Sequence, residues 1–295
     1  MSIISPIPYT GSKRRLIKKG LIKCFPSNIN TFYDVFGGSA SVSMNVKAKK
    51  YVVTDIDEYV VELWNVFRNH SSDEICKHIR NRIDEFGLQK KDLHKDIYIY
   101  KDKYVKHKEG YYKLRDLYNK TKNDLDLLTL LYHSFCYKLE HHNEKLTTSF
   151  GIGSFEHFKN YIKNGTNFFQ RDSVTIKRQS FTKLNPKKLK TNDFVYFDPP
   201  YFNSEAEYNK IWNKKKEKKL LSLCEELNNR GIKFALSNVS EIKGKVNRKL
   251  IKWCERNKFY CRSFDITYCA YSNSSTNGKE VLITNYDTFP KGTFD

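Results

Sequence analysis

Two apolar segments joined by a glycine pair constrain the fold of this chain more than any other feature. TFYDVF (31–36) is typical of a buried strand, and Gly37-Gly38 follow it directly. The next segment, SASVSMNVKAKK (39–50), has the pattern of a helix, and YVVTD (51–55) is typical of a second buried strand that ends in a carboxylate. Strand, helix and strand in this order predict a βαβ unit, and hence a parallel sheet with helices on its faces.

Strand-like segments return in the second half of the chain, separated by helical or basic stretches. They are VTIKRQSF (174–181), DFVYFDPPY (193–201), KFALSN (233–238), FDITYCAY (264–271) and KEVLITNY (279–286). Residues 214–230 predict a helix that Gly231 ends, because glycine readily adopts the left-handed conformation that stops a helix. The chain is therefore expected to form an α/β fold whose sheet continues through these segments.

The middle of the chain has a different composition and a different pattern of apolar residues. Residues 62–167 show helical periodicity with charges between the apolar positions, and they contain all eight histidines. Such a shift in composition predicts an inserted domain. We therefore expect one domain formed by residues 1–61 and 168–295, and a second formed by residues 62–167.

The balance of charge points to a polyanionic partner. The 295 residues carry 53 Lys and Arg against 33 Asp and Glu, a net charge of +20, which favours nucleic acid or an acidic membrane surface as the partner. A drift of composition towards lysine is the alternative. No apolar run approaches the roughly 18 residues of a membrane span, and the opening residues lack the pattern of a secretory signal. The seven cysteines form no CxxC pair, which argues against a disulfide framework and a zinc site. We expect a cytoplasmic protein without a metal.

The glycine pair is the first candidate binding feature. Glycines at the end of a strand let a ligand approach the backbone, and Asp55 ends the next strand, where nucleotide-binding sheets place the acid that holds a ribose. The pattern FGGS is not GxGxxG, so a nucleoside without a pyrophosphate, such as S-adenosylmethionine, fits better than a dinucleotide. A tight turn followed by a solvated acid is the alternative.

The segment Asp198-Pro199-Pro200-Tyr201 is the second candidate. It follows FVYF, a run typical of a strand buried on both faces, and its two prolines end the strand abruptly. A carboxylate, the Pro199 carbonyl and an aromatic ring would then project from the carboxyl edge of the sheet. The two oxygens suit the N–H groups of an exocyclic amine, and the Tyr201 ring suits stacking on a planar base. A simple strand-ending turn is the alternative.

In combination these motifs resemble the Dam family of DNA adenine-N6 methyltransferases, in particular its phage-encoded members with DPPY. The resemblance is carried by YTGSK (9–13), FGGSASV with the following TDID, DPPY, YNKIW (208–212), RGIKFALSNVSE (230–241) and NGKEVLITN (277–285). It implies a Rossmann-like, mostly parallel seven-stranded methyltransferase sheet with an inserted helical target-recognition domain. It also implies S-adenosyl-L-methionine as cofactor, and a flipped-out adenine in double-stranded DNA as substrate.

The resemblance assigns roles to individual residues. It makes Asp198, Pro199 and Tyr201 catalytic, and it assigns cofactor contacts to Tyr9, Lys13, Phe36, Gly37, Asp55, Phe181 and Asp198. Lys13 would lie near the cofactor carboxylate and Asp55 at the ribose hydroxyls. Without the resemblance, Tyr9 would be interpreted as core packing and Lys13 as a solvated lysine. Tyr208 and Trp212 would either close over the flipped base or, in the case of Trp212, anchor the next helix.

DNA reading is expected from the segment SFCYKLEHHNEKLTTSFG (134–151). Family members that read GATC carry an Asn and an Arg where this chain has Tyr137 and Glu140. Either Lys138, His141 or His142 takes over their role, or the recognised sequence differs from GATC. Asn273 and Ser274 resemble a loop that contacts phosphates, with a surface turn as the alternative. The resemblance implies a monomer or weak dimer on DNA.

Other functions stay open at this point. Related Pro-Pro-Tyr motifs serve methyltransferases that act on RNA guanine N2 or on protein amides, and an inactive DNA-binding module could keep the same fold. YTGSK and the long insertion before DPPY favour the DNA enzyme over the first of these. The absence of GxGxxG disfavours a nicotinamide oxidoreductase.

Overall fold

The chain forms two compact units, each built from several separate segments. The computed structural model describes residues 2–91, 101–201, 212–242, 245–269 and 275–288. The unit that we call the helical unit comprises Met1–Lys13, Gly38–Met44 and Asp57–Ile176. The unit that we call the sheet unit comprises Arg14–Gly37, Asn45–Ile56 and Lys177–Asp295.

The main sheet runs in the order β5-β2-β1-β6-β7-β10-β9, and a short strand, β8, pairs with β7. Its strands are β1 (Ile29–Asp34), β2 (Ala48–Asp55), β5 (Val174–Arg178), β6 (Phe194–Phe197), β7 (Lys233–Ile242), β8 (Lys245–Val246), β9 (Tyr260–Cys269) and β10 (Ser275–Thr284). Strand β1 is parallel to β2 and to β6, and β6 is parallel to β7, whereas β10 is antiparallel to β7 and β9. The predicted α/β fold with a mostly parallel, seven-stranded sheet is confirmed.

Apolar packing explains why these segments form the centre of the sheet. All four residues of β6 are buried, as expected for a strand covered on both faces. Helix α7 (Lys214–Asn229) buries Leu220, Cys224 and Leu227, which recur at helical spacing and join the core of the sheet. Gly231, at φ 66°, follows this helix, so its predicted extent and end are confirmed. Two further helices of the sheet unit are α1 (Arg14–Lys18) and α8 (Arg248–Arg256).

The prediction of a helix for residues 39–50 is wrong. The segment contains only a 3-10 turn, Ser43–Asn45, and β2 begins at Ala48. The side chains of Ser39 and Ser41 bond to each other, with their Oγ atoms 2.7 Å apart. Serine hydroxyls compete with the helical backbone for hydrogen bonds, which explains why a serine-rich segment with helical apolar spacing stays a turn.

In its described residues, the helical unit consists mainly of five helices, α2 (Glu58–Asn69), α3 (Ser72–Phe86), α4 (Lys101–Thr121), α5 (Asp124–Tyr132) and α6 (Ile162–Phe169), and of a hairpin, β3 (His141–His142) with β4 (Lys145–Leu146). A capping box at Ser71 and Glu74 starts α3. Asp126 is fully buried on α5 and bonds to His78 and Arg82 of α3, both at 2.7 Å. This charged network fixes α5 against α3. In the part of the chain that the structure describes, no helix is long and apolar enough to cross a membrane.

Candidate active site

The strand register places three predicted site residues at one edge of the sheet. Asp34 at the end of β1 lies opposite Val53 of β2 and opposite Tyr196 of β6. The residues two positions further along these strands are Phe36, Asp55 and Asp198. Since the three strands are parallel, their carboxyl ends meet, and this edge is where ligands bind in open α/β sheets.

The hydroxyl of Tyr201 lies between two carboxylates. It donates to Asp198 Oδ1 and to Glu280 Oε2, each 3.2 Å away. Glu280 is only 5% exposed on β10, and the register of β10 with β7 shifts between Lys279 and Glu280. Such a β-bulge re-aims side chains and often lies near a functional site. Here it accompanies a buried carboxylate that contacts the DPPY segment.

Three carboxylates act on one buried phenol at this edge. Tyr196 is buried, and its hydroxyl lies 2.7 Å from Ser237 Oγ. Burial raises the pKa of the Tyr196 phenol well above its usual value, and the negative charges of Asp198, Asp34 and Glu280 raise it further. Acidic groups gathered in a partly buried region produce a negative potential that favours a bound cation.

An aromatic cluster lies beside these acids. The rings of Phe36 and Phe181 stack with centroids 5.6 Å apart, and Trp212 packs against both, at 5.7 and 5.4 Å. The Trp212 indole N–H donates to Glu217 at 2.6 Å, in the first turns of α7. Burial raises the pKa of Glu217, and hydrogen bonds from Trp212 and Asn238 oppose that rise. Of the two roles considered for Trp212, the structure supports the anchor for the following helix.

The two glycines after β1 have different surroundings. The amide of Gly37 donates to the Thr54 carbonyl at 2.9 Å, so this N–H is used to join the turn to β2. Gly38 has φ +48°, and a Cβ atom there would lie 3.0 Å from the ring of Tyr9. A side chain at Gly38 would therefore strain the backbone and displace Tyr9.

The other N-terminal residue predicted for the site, Lys13, is 5% exposed in the helical unit. Its Nζ donates to the Gly11 carbonyl at 3.1 Å. The preceding residue, Ser12, has its Oγ 3.2 Å from that of Ser41. A buried ammonium is costly unless it is paired.

The residues predicted to read DNA lie on and before the hairpin of the helical unit. His141 and His142 form β3 and are exposed, and Lys138 ends the 3-10 turn that precedes them. Asn143 and Glu144 connect β3 to β4 with φ 49° and 63°, as a two-residue type I′ turn requires. The His141 ring packs on Tyr59, with centroids 4.8 Å apart.

One face of α4 and the residue following it hold this hairpin in place. The Asn119 side chain donates to the Leu146 carbonyl at 3.0 Å and accepts from its amide at 2.8 Å, as a neighbouring strand would. Arg115 donates to the carbonyls of the two threonines after β4 at 3.2 and 3.1 Å, and Lys122 to the Glu144 carbonyl at 2.5 Å. Residues spaced in this way share one side of a helix, so the hairpin is fixed along its length.

A comparison with protein families agrees with this arrangement. Residues 9–276 match the model of the D12 class N6 adenine-specific DNA methyltransferases. The chain belongs to this family. The predicted relation to DNA adenine-N6 methyltransferases is thus confirmed.

Curated relatives of this family member are modification enzymes. Type II methyltransferase M.FokI of Planomicrobium okeanokoites is 35% identical over 98% of this chain and 44% of that protein. The modification methylase StsI of Streptococcus sanguinis is 35% identical over 97% and 43%, and LlaI of Lactococcus lactis subsp. lactis 30% over 97% and 44%. The chain thus spans less than half the length of these relatives. A solved precorrin-6y C5,15-methyltransferase from Geobacter metallireducens aligns with 97% of this chain and 98% of that one, at 10% identity and a TM-score of 0.39.

Sequence reasoning missed three acids in this member of the D12 family, namely Asp34, Glu217 and Glu280. A signal existed for two of them, because Asp34 and Glu280 are single charges inside the apolar runs TFYDVF and KEVLITNY. A charge is rarely buried without a function or a partner. Glu217 carries no such signal, since it stands among lysines.

Three residues named from the sequence, Tyr208, Asn273 and Ser274, lie outside the described residues. Among the described residues, no group of three or more His, Cys, Asp or Glu side chains could hold a metal ion. The individual roles assigned to the site residues stay predictions.

Proposed function

We propose that this chain transfers a methyl group from S-adenosyl-L-methionine to N6 of a flipped-out adenine in double-stranded DNA. The observation that carries the proposal is the position of Asp198, which follows a fully buried strand at the carboxyl edge of the sheet and is hydrogen-bonded to Tyr201. Membership of the D12 family supports the same conclusion.

The residues of the sheet edge fit a cationic nucleoside. The charges of Asp34, Asp198 and Glu280 favour a sulfonium, Phe36 and Phe181 offer an aromatic surface to a purine, and Asp55 has the acceptor that ribose hydroxyls need. Gly37 keeps the backbone open to close approach. In the helical unit, Tyr9 and the buried ammonium of Lys13 would hold the methionine end, where a carboxylate needs a cation.

The chemistry that follows from these residues is direct transfer. The cofactor supplies an electrophilic methyl group on a positively charged sulfur. Asp198 and the Pro199 carbonyl would accept the two N–H bonds of the adenine amine, which directs the nitrogen lone pair towards the methyl group. Tyr201 would stack on the base, offsetting part of the few kcal/mol that base flipping costs. No covalent enzyme intermediate and no metal are needed.

DNA recognition is assigned to the predicted domain of residues 62–167. Its hairpin presents His141 and His142, with Lys138 directly before it, and such side chains can contact phosphates and base edges. Asn273 and Ser274 are proposed to contact phosphates. We propose that the chain acts as a monomer or weak dimer on DNA, with GATC and other adenine-containing sequences as the alternatives to be distinguished.

The proposal is tested by mapping N6-methyladenine at base resolution. DNA is taken from a methylation-deficient host that expresses this chain, and from the same host with Asp198→Ala. We expect one methylated sequence motif with the unaltered chain. With Asp198→Ala we expect none, because the amine loses its acceptor, while DNA affinity in a filter-binding assay stays unchanged.

The outcomes separate the alternatives. Normal methylation by Asp198→Ala would overturn the catalytic assignment. A folded chain that binds S-adenosylmethionine but methylates no adenine would contradict the proposal and direct the search to RNA guanine or protein amides. A folded chain that binds DNA but no cofactor would indicate an inactive DNA-binding module.

A further inference from the structure

Glu280 is a buried carboxylate for which the proposed chemistry has no stated use. It is 5% exposed on β10, where the register with β7 shifts, and its Oε2 is 3.2 Å from the Tyr201 hydroxyl. Burying a carboxylate costs several kcal/mol unless hydrogen bonds compensate, so a site that serves packing alone would hold an apolar residue.

The Tyr201 hydroxyl has a single proton to share between its two acceptors. Asp198 Oδ1 and Glu280 Oε2 are equally distant at 3.2 Å. When the proton points to Glu280, the hydroxyl occupies no acceptor position of Asp198. When it points to Asp198, one of those acceptor positions is occupied. Glu280 therefore competes with Asp198 for the hydroxyl proton.

We propose that Glu280 is a positioning residue, which acts through Tyr201. Its carboxylate accepts the hydroxyl proton, holds the Tyr201 ring in one orientation for stacking on the base, and keeps that proton away from Asp198 Oδ1, the proposed acceptor of the adenine amine. This inference rests on the proposed function, because it assigns Tyr201 and Asp198 to the binding of adenine.

A double-mutant cycle tests this role. The variants are Glu280→Met, which removes the acceptor at similar volume, Tyr201→Phe, which removes only the hydroxyl, and both together. Single-turnover methylation of a duplex with one target site gives the rate of transfer, and equilibrium titrations give the affinities for DNA and S-adenosylmethionine. Each single variant is expected to lose about ten- to a hundredfold in rate, as misplaced catalytic groups do, with both affinities retained.

The double variant decides whether Glu280 acts through Tyr201. Once the hydroxyl is absent, Glu280→Met should change the rate by no more than about twofold, the scatter of independent measurements. Losses that multiply in the double variant would overturn the proposal. Glu280→Gln, whose amide oxygen can still accept the proton, should restore part of the rate lost in Glu280→Met.

Controls keep this inference separate from the proposed function. Glu241→Gln removes a carboxylate from the neighbouring strand, where Glu241 pairs with Lys279 at 3.7 Å, and is expected to transfer at the unaltered rate. If Glu280→Met does not fold in a thermal unfolding assay, Tyr201→Phe still decides, because an unchanged transfer rate in that variant would overturn the proposal. Failure of the unaltered chain to methylate DNA would instead contradict the proposed function.

Discussion

At the scale of single residues, Glu62 on α2 shows how burial changes the behaviour of a carboxyl group. The Tyr118 hydroxyl donates to both of its oxygens, at 3.1 and 3.2 Å, and thereby joins α2 to α4. Burial raises the pKa of Glu62 from 4.5 to about 7, with a contribution from Asp124, whereas Tyr118 and Lys122 lower it. The folded state therefore binds this proton more tightly than the unfolded chain.

This shift predicts a loss of stability as pH rises. The stabilisation from Glu62 is complete below the unfolded pKa of 4.5 and is lost as the pH passes through about 7. Glu62→Gln stays neutral at every pH, so its melting temperature should fall less than that of the unaltered chain between pH 5 and pH 8. Thermal unfolding followed by circular dichroism measures the difference.

A control on the neighbouring helix completes that test. Asp116 on α4 has a side chain that is 66% exposed, so Asp116→Asn should keep the pH dependence of the unaltered chain. If the melting temperatures of the unaltered chain and of Glu62→Gln fell equally between pH 5 and pH 8, the pH dependence assigned to Glu62 would be contradicted.

At the scale of elements, the hairpin depends on α4 more than on its own two short strands. An isolated two-stranded hairpin is marginal in water, and the strands of this one pair His141 with Leu146 and His142 with Lys145, with a further backbone bond from the Thr147 amide to the Glu140 carbonyl. The side chain of Asn119 supplies the backbone pairing that a third strand would supply. The hairpin with the proposed DNA-reading residues is therefore held in place by α4, a helix that contains none of those residues.

Removing the Asn119 amide should loosen the hairpin. Asn119→Leu leaves the backbone of buried Leu146 without these bonds, at a cost of about 1–3 kcal/mol. Amide hydrogen exchange across residues 141–146 is expected to accelerate by about tenfold or more, since 1.4 kcal/mol is a factor of ten in local opening. Thr121→Ala is the control, because the Thr121 hydroxyl donates to the Leu117 carbonyl and accepts from the Asn123 amide, and neither residue belongs to the hairpin. Equal exchange in both variants would exclude the role assigned to Asn119.

The same scale shows what the sequence could predict and why the rest escaped it. Strand β6 was predictable because four consecutive buried apolar residues leave few alternatives to a central strand. The helix over residues 39–50 was predicted wrongly because side-chain bonds between serines replaced helical backbone bonds. Asp198 and Tyr201 were predictable as site residues because they belong to the consecutive residues DPPY, directly after strand β6. Their contact with Glu280 depends on a bulge and on pairing between distant strands, which no local pattern encodes.

At the scale of the whole molecule, part of the positive charge lies in two groups of exposed lysines. The exposed lysines in the first turns of α7, where the helix dipole disfavours positive charge, include Lys214, Lys215 and Lys218. Because α7 follows β6, this end of the helix lies at the carboxyl edge of the sheet. The exposed Lys47, Lys49 and Lys50 lie at the start of β2, and hence at the opposite edge.

These two lysine groups provide a matched test of where DNA binds. Replacing the α7 group with glutamines should weaken DNA binding and reduce the slope of log affinity against log salt by about one for each phosphate that is no longer neutralised. The same replacements in the β2 group should leave the slope unchanged. Equal changes of this slope in both variants would show that DNA binding depends on the overall positive charge and not on the position of the lysines.

The order of strands has a consequence for how the chain is made. Strand β1 lies between β2 and β6 in the sheet, yet β6 begins only at Phe194, after the whole helical unit. During synthesis the N-terminal segments emerge first, so the pair of β1 and β2 leaves the ribosome with both of its edges uncovered, the β2 edge until β5 is made and the β1 edge for longer. Open apolar edges are prone to pair with other chains, and the β1 edge stays open until β6 arrives. A fragment that stops before Phe194 would therefore behave as an unfinished sheet rather than as an independent module.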